Sequence, residues 1–119
     1  MSALERTDEL KQAIGEAGAA VYEARMLATR HGEPAIADIL GRAEAEMTRA
    51  LALVDPRLRV FPTRGRAETT DELPLAIADA MSGAMTAGDM AKRYDCMAAA
   101  GVLEKASTAL VSALAHAVD

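Results

Sequence analysis

Aromatic residues are almost absent from this chain of 119 residues. It contains no Trp, one Phe (Phe61) and two Tyr (Tyr22 and Tyr94), while 51% of its residues are hydrophobic. A core without large rings must be filled by Ala, Leu, Ile, Val and Met. Straight-chain and small residues favour helices, and small residues let helix backbones approach closely. The composition therefore predicts a compact bundle of helices.

Cysteine and excess positive charge are also lacking. Cys96 is the only cysteine, so no disulfide can form within the chain, and a reducing cytoplasm is the expected compartment. A net charge of −5 disfavours nucleic acid as a partner, because binding a polyanion needs a positive field. No signal peptide opens the chain, and no apolar run approaches the roughly 20 residues that cross a membrane. We therefore expect a soluble, cytoplasmic protein with no membrane partner, and its alanine bias is typical of a GC-rich bacterial genome.

Apolar residues recur every three or four positions, which is the helical period. The first helix is expected at about 3–31, starting near Ser2 or Thr7, with Gly32 suited to end it in a left-handed conformation. A second helix is expected at 34–54, where Pro34 fits the first turn. The linker of about three residues makes these helices an antiparallel hairpin.

The second half of the chain predicts another hairpin. Its helices are expected at 71–87 and 89–118, with a break near Gly88 and with Asp89 capping the last helix. Gly101 would mark a kink or the close approach of a neighbouring helix.

The alternative division has one helix over 71–100 and another over 102–118. Both divisions predict the same fold class. It is a single all-α domain, a four-helix bundle of two antiparallel helical hairpins. The hairpins are joined by a loop at 55–70 that contains Arg and Pro.

Motifs for metal-dependent catalysis are missing from the sequence. Di-iron bundles need Glu-x-x-His on two helices, but Ala28 and Ala113 stand three residues before His31 and His116. We therefore predict no cofactor, and an enzymatic activity is not the leading hypothesis.

The loop between the hairpins concentrates arginine. Four Arg and no acid lie between positions 57 and 66, together with an aromatic ring: Arg57, Arg59, Phe61, Arg64 and Arg66. Arg binds carboxylate or phosphate through two parallel hydrogen bonds, so these residues are a candidate site for an anion or an acidic partner. The favoured alternative is a solvated linker whose arginines pair with nearby acids.

A sulfur cluster and an uncharged terminal helix are the other two signals. Met81, Met85 and Cys96 could hold Cu(I), although methionines that fill a core are the favoured interpretation. Between Ala106 and Val118 only His116 can carry a positive charge. A helix without a charged face is buried on several sides, either in its own bundle or against a partner. The predicted oligomer interface consists of Leu103, Leu110 and Leu114.

The leading functional hypothesis is a non-enzymatic bundle that acts by self-association, as a homodimer, or by binding a protein partner. The alternative is a bundle that binds a small molecule or a metal. Its pocket, which could be catalytic, would lie near Tyr22, Tyr94, Cys96 and the arginine-containing loop.

Overall fold

The computed structural model describes residues 2–58 and 71–118. These residues form four helices and no strand: α1 (Ala3–Arg30), α2 (Pro34–Val54), α3 (Leu73–Arg93) and α4 (Met97–Val118). Helix α1 packs against α2 and α3, and α4 packs against the same two helices. Helices α1 and α4 thus face each other across one diagonal of the bundle. The predicted all-α bundle of two helical hairpins is confirmed.

The second hairpin begins at the end of the bundle where α1 finishes. Asp55, just after α2, lies near the start of α1, where its Oδ2 is 3.3 Å from the Nζ of Lys11. In contrast, Leu73 at the start of α3 shares a cleft with His31 and His116 at the opposite end. Helix α3 therefore runs parallel to α2, and every helix is antiparallel to both of its neighbours. Four-helix bundles with one long crossover connection have such topologies.

Helix α1 ends in a left-handed turn at Gly32, as predicted. Gly32 has φ of 70°. Its N–H donates to the carbonyl of Thr29 at 3.2 Å, and the N–H of Glu33 donates to the carbonyl of Ala28 at 2.9 Å. This pair of hydrogen bonds is the Schellman motif, which satisfies carbonyls at the end of a helix. Of the two expected starts, Ser2 is the cap, since its hydroxyl accepts from the N–H of Glu5 at 3.1 Å.

Helix α3 ends in the same motif, but at Asp95, which has φ of 60°. The N–H of Cys96 donates to the carbonyl of Ala91 at 2.8 Å, and that of Asp95 donates to Lys92 at 3.1 Å. The predicted break near Gly88, and the bounds 71–87 and 89–118 that depend on it, are therefore wrong, as is the alternative of a helix over 71–100.

Burial explains why α3 continues through Gly88. A glycine within a helix costs about 1 kcal/mol relative to alanine, which weakens a helix but does not end it. Gly88 is buried, and a Cβ at that position would lie 3.7 Å from the Cβ of Leu103. The apolar stripe of α3 also continues past it at Ala91. Packing against α4 therefore outweighs the low helix propensity, and Asp89 lies inside α3 and caps no helix.

The core consists of aliphatic and small side chains from all four helices. Its largest fully buried members are Leu10, Ile14, Val21, Leu40, Met47, Ile77, Leu103 and Leu110. Helices α1 and α3 approach closely at Gly83, where a Cβ would lie 3.2 Å from the Cβ of Ala17 and 3.3 Å from its Cα. Gly101, in contrast, is exposed and faces open space within an unbroken α4. The expected kink or close approach at Gly101 is therefore wrong, and Gly83 has that role.

Two glycine substitutions test this packing. Gly101→Ala should raise the free energy of unfolding by roughly 0.5–1 kcal/mol, because alanine restricts the unfolded chain and meets no atom in the folded one. Gly83→Ala should lose that gain and destabilise the bundle, since the new methyl group meets backbone of α1. Urea unfolding of both variants measures the difference. Equal stabilisation by the two substitutions would contradict a tight contact between α1 and α3.

A third substitution tests the end of α3. Asp95→Gly should raise the free energy of unfolding by about 1 kcal/mol, because glycine adopts a positive φ without the steric cost that other residues carry. Gly32→Ala, at the equivalent position after α1, should lower stability by a similar amount. Thermal unfolding followed by circular dichroism measures both. A neutral Asp95→Gly variant would show that the turn carries no strain.

Candidate functional site

Arg57 is the one member of the arginine cluster within the described residues; Arg59, Phe61, Arg64 and Arg66 lie outside them. Its guanidinium makes two hydrogen bonds to Asp55, from Nε to Oδ1 at 3.0 Å and from Nη2 to Oδ2 at 3.1 Å. Its backbone N–H also donates to Oδ1, at 3.1 Å. Arg57 therefore holds the end of α2, as the linker interpretation expects.

Asp55 is a buried carboxylate between two cations. Arg57 lies on one side, and Lys11 of α1 lies on the other. The hydrogen bonds from the side chain and backbone of Arg57, with a further contribution from Lys11, hold the pKa of Asp55 well below its usual range. The hydrogen bond that Lys11 donates to Asp8 is the main cause that raises the pKa of Lys11, with Asp55 contributing. This cluster ties the end of α2 to the first half of α1, so its role is structural.

The cluster predicts a dependence of stability on pH. The pKa of Asp55 is lower in the folded chain than the value of about 3.9 in an unfolded one. Its contribution to stability is therefore complete above about pH 4 and is lost as the pH falls through the folded value. Asp55→Asn should lower the free energy of unfolding at pH 7 and should make its decline with falling pH shallower. Asp38→Asn, at an exposed position of α2, is the control and should change neither quantity. An unchanged acid limb in Asp55→Asn, measured by urea unfolding from pH 7 to 2, would contradict the assignment.

The predicted interface leucines lie largely inside the bundle. Leu103 and Leu110 are fully buried among the helices of their own chain, and Leu114 is half-buried. One side of α4 is thus a core helix, which was the alternative considered from the sequence. A second copy could contact only the outward side of α4. The interface therefore has to be sought in other residues.

Helix α4 is also long and apolar enough to cross a membrane by length and composition. The expectation that no segment approaches such a span is therefore wrong by this measure. The same helix contains Glu104 and Lys105 and supplies Leu103 and Leu110 to the core. Core helices of soluble bundles combine these properties, because their buried side must be apolar.

The sulfur-containing residues do not converge on one point. Met81 and Cys96 are half-buried against the core, and the Cys96 thiol is 3.6 Å from the carbonyl oxygen of Tyr94. Met85 and Met97 are exposed, contrary to the expectation that they fill the core. Within 2–58 and 71–118, no three side chains of His, Cys, Asp and Glu are grouped as a ready-made metal site.

The proposed pocket at the tyrosines does not form either. Tyr94 donates a hydrogen bond to Glu9 near the start of α1, and this contact is the main cause that raises the tyrosine pKa. Tyr22 lies under the guanidinium of Arg25, 5.3 Å from the ring centroid. Glu9 and Tyr22 are separated along α1 by about 20 Å at the helical rise of ~1.5 Å per residue. The two rings therefore belong to different ends of the bundle.

The outer surface of the second hairpin has few charges and is partly open. We call it the α3/α4 face; its residues follow helical spacing along both helices and comprise Ala78, Met81, Met85, Ser107, Val111, Leu114 and Val118. Met85 and Val111 are 54% and 53% exposed. They border a groove of about 420 Å³ that also includes Ala84, Gly88 and Leu103. An ion pair of 2.7 Å between Lys92 and Glu104 lies at one end of this groove.

Asp89 also lines this groove, near Lys92, and few other charges lie on the second hairpin. Between Leu73 and Gly88 the only charged residue is Asp79, which borders a groove toward α1 beside Ala17. The groove between α1 and α2 differs in its apolar lining, which is alanine alone beside Asp38 and the 2.6 Å ion pair of Arg25 with Glu44. The leucines of the uncharged tail follow the buried stripe of α4, whereas Val111 lies beside that stripe on the outer surface, as Met85 does on α3.

Comparisons with known proteins add no relative: no protein family, no curated protein and no solved structure matches the chain.

Proposed function

We propose that this protein is a non-enzymatic helical bundle that forms a homodimer through the α3/α4 face. The observation that carries the proposal is a sparsely charged, partly apolar surface that extends over two adjacent helices. Exposed apolar residues scattered singly are normal on proteins, whereas contiguous ones mark sites of association. The groove between α1 and α2 has no such surface, because the only apolar side chains that line it are Ala37 and Ala45.

The dimensions of the face suit a protein partner. A helix of about 20 residues is roughly 30 Å long, and two packed helices are roughly 20 Å wide. The projected area is therefore about 600 Å², close to the ~800 Å² that each partner buries in an interface of standard size. Burying a Met or Val side chain contributes about 1.5–3 kcal/mol. Met85 and Val111 are thus the main expected contributors, and a two-fold axis would use both of them twice.

Sedimentation velocity of three proteins tests the proposal. The wild type should sediment as a dimer at micromolar concentrations. Val111→Glu should weaken the dimer by at least tenfold, because each interface would bury an unpaired carboxylate. Leu53→Glu is the matched control, since Leu53 is 52% exposed but lies on α2. It should sediment as the wild type does.

Circular dichroism distinguishes loss of association from loss of fold. Val111→Glu should keep the helical spectrum, because the new carboxylate can remain in water in the monomer. A wild type that is monomeric throughout the micromolar range would refute the homodimer. If Leu53→Glu weakened the dimer as much as Val111→Glu does, the interface would not be the α3/α4 face, or the added negative charge alone would explain the effect.

A second candidate function rests on the groove within the same face. Its walls come from Met85, Val111 and Leu103, and its volume of about 420 Å³ is in the range of small-molecule sites. An apolar ligand would fit this lining, with Lys92 and Glu104 at the polar end. If the wild type is monomeric, this ligand-binding function becomes the leading one. Native mass spectrometry of protein from its own host would report a retained ligand.

A further inference from the structure

The α3/α4 face is charged at one end only. Lys92 of α3 and Glu104 of α4 form their 2.7 Å ion pair there, and Asp89 lines the same groove. The hydrogen bond to Glu104 is the main cause that raises the pKa of Lys92, with Asp89 contributing, so the lysine is charged at neutral pH. Ala78 and Val118 lie at the uncharged end, about 21 Å away along their helices at the helical rise of ~1.5 Å per residue.

Two-fold symmetry leaves two ways to place a second copy on this face. If the helices of the two copies pack along their length, the axis runs either along the bundle or across it. An axis along the bundle places α3 of each copy against α4 of the other and keeps every residue at its own level; we call this the level arrangement. An axis across the middle of the face places α3 against α3 and turns one copy end over end; we call this the turned arrangement.

Charge complementarity favours the level arrangement. In the turned arrangement, the charged end of each copy lies against the uncharged end of the other, so Lys92, Glu104 and Asp89 would lose water and gain no partner, which is costly. In the level arrangement, Lys92 of each copy faces Glu104 of the other, because the ion pair within the chain already places these two residues at one level. The two lysines and two glutamates then alternate in sign around the axis.

We propose that the second copy binds the α3/α4 face in the level arrangement, with Lys92 and Glu104 forming ion pairs between the chains as well as within them. The inference rests on the homodimer proposed above and adds the orientation of the partner. Exposed ion pairs contribute little to affinity, so the apolar part of the face supplies most of the binding, and the charges determine the orientation.

Charge reversal at the two positions tests contact between the chains. Lys92→Glu and Glu104→Lys are prepared as separate proteins, one of them isotopically labelled so that the masses differ, and are mixed in equal amounts. In the level arrangement, two like variants bring like charges together, whereas two unlike variants bring opposite charges together. Each variant has lost the pair within its own chain whatever its partner, so an excess of heterodimer reports only contacts between chains.

Native mass spectrometry measures the pairing. Random association gives half heterodimer. The level arrangement should give at least about three quarters in ~20 mM ammonium acetate, and this excess should decline toward half at ~500 mM, because salt screens exposed charges.

Arg25→Glu and Glu44→Lys are the matched control pair. They reverse the 2.6 Å ion pair between α1 and α2, which lies off the face, and they change the net charge of each chain by the same amounts as the test pair. This control mixture should associate at random, and circular dichroism of all four variants should show the helical spectrum.

The outcomes separate the orientation from the homodimer itself. A dimeric wild type whose test variants pair at random, or stay monomeric when mixed, would overturn the level arrangement and leave the homodimer in place. An equal excess of heterodimer in the control mixture would assign the effect to net charge and would also overturn it. A monomeric wild type would remove both proposals.

Disulfide trapping gives a second measurement that does not depend on charge. Met85 and Val111 lie at one level, since each is separated from the charged pair by the same number of residues along its helix. In a Cys96→Ser background, a mixture of Met85→Cys and Val111→Cys should form the mixed disulfide in the level arrangement. Dimers of Met85→Cys joined to itself, without the mixed product, would assign the turned arrangement instead.

Discussion

The close approach of α1 and α3 at Ala17 and Gly83 is the contact on which the rest of the bundle depends. Without aromatic side chains to span a wide core, the helices must lie near one another if Leu and Ile are to fill the space between them. Protein interiors are packed to the density of organic crystals, so a wider spacing would leave voids that cost stability. Gly83 permits the approach because it presents no side chain to Ala17. The alanine-rich composition is therefore a packing requirement as well as a helix preference.

The close spacing of the helices also determines which side chains lie on the outer surface. The small residues of α3 point inward at Ala80, Ala84 and Ala87, so the longer Met85 lies on the outer edge. Helix α4 behaves in the same way, with Ala106 and Leu110 inside and Val111 outside. Because the second hairpin has few charged residues, its outer surface carries the ion pair of Lys92 with Glu104 at one end and is largely apolar beyond it. The α3/α4 face is thus a consequence of how this core is packed.

Local features of the fold could be predicted from the sequence, because the signals at Ser2, Gly32 and Pro34 act within a few residues. The end of α3 could not be predicted from the sequence. Gly88 is a local signal for a helix end, and only its burial against α4 outweighs that signal. The turn after α3 has Asp95, not glycine, in the left-handed conformation, so no local residue type marks it in the sequence. The direction of the second hairpin was equally hidden: loop-closure entropy rises slowly with length, so a connection this long can reach either end of the bundle.

The direction of the second hairpin decides which helix ends lie side by side. Had α3 begun at the end where α2 finishes, the last turn of α4 would lie beside the start of α1, and His116 would be about 40 Å from His31 along a helix of 28 residues. In the observed topology α1 and α4 both finish at the same end, so their carbonyl-rich termini and the carboxylates of Glu33 and Asp71 add to one negative region. The cleft that His31 and His116 share therefore follows from connectivity, whereas the α3/α4 face follows from packing.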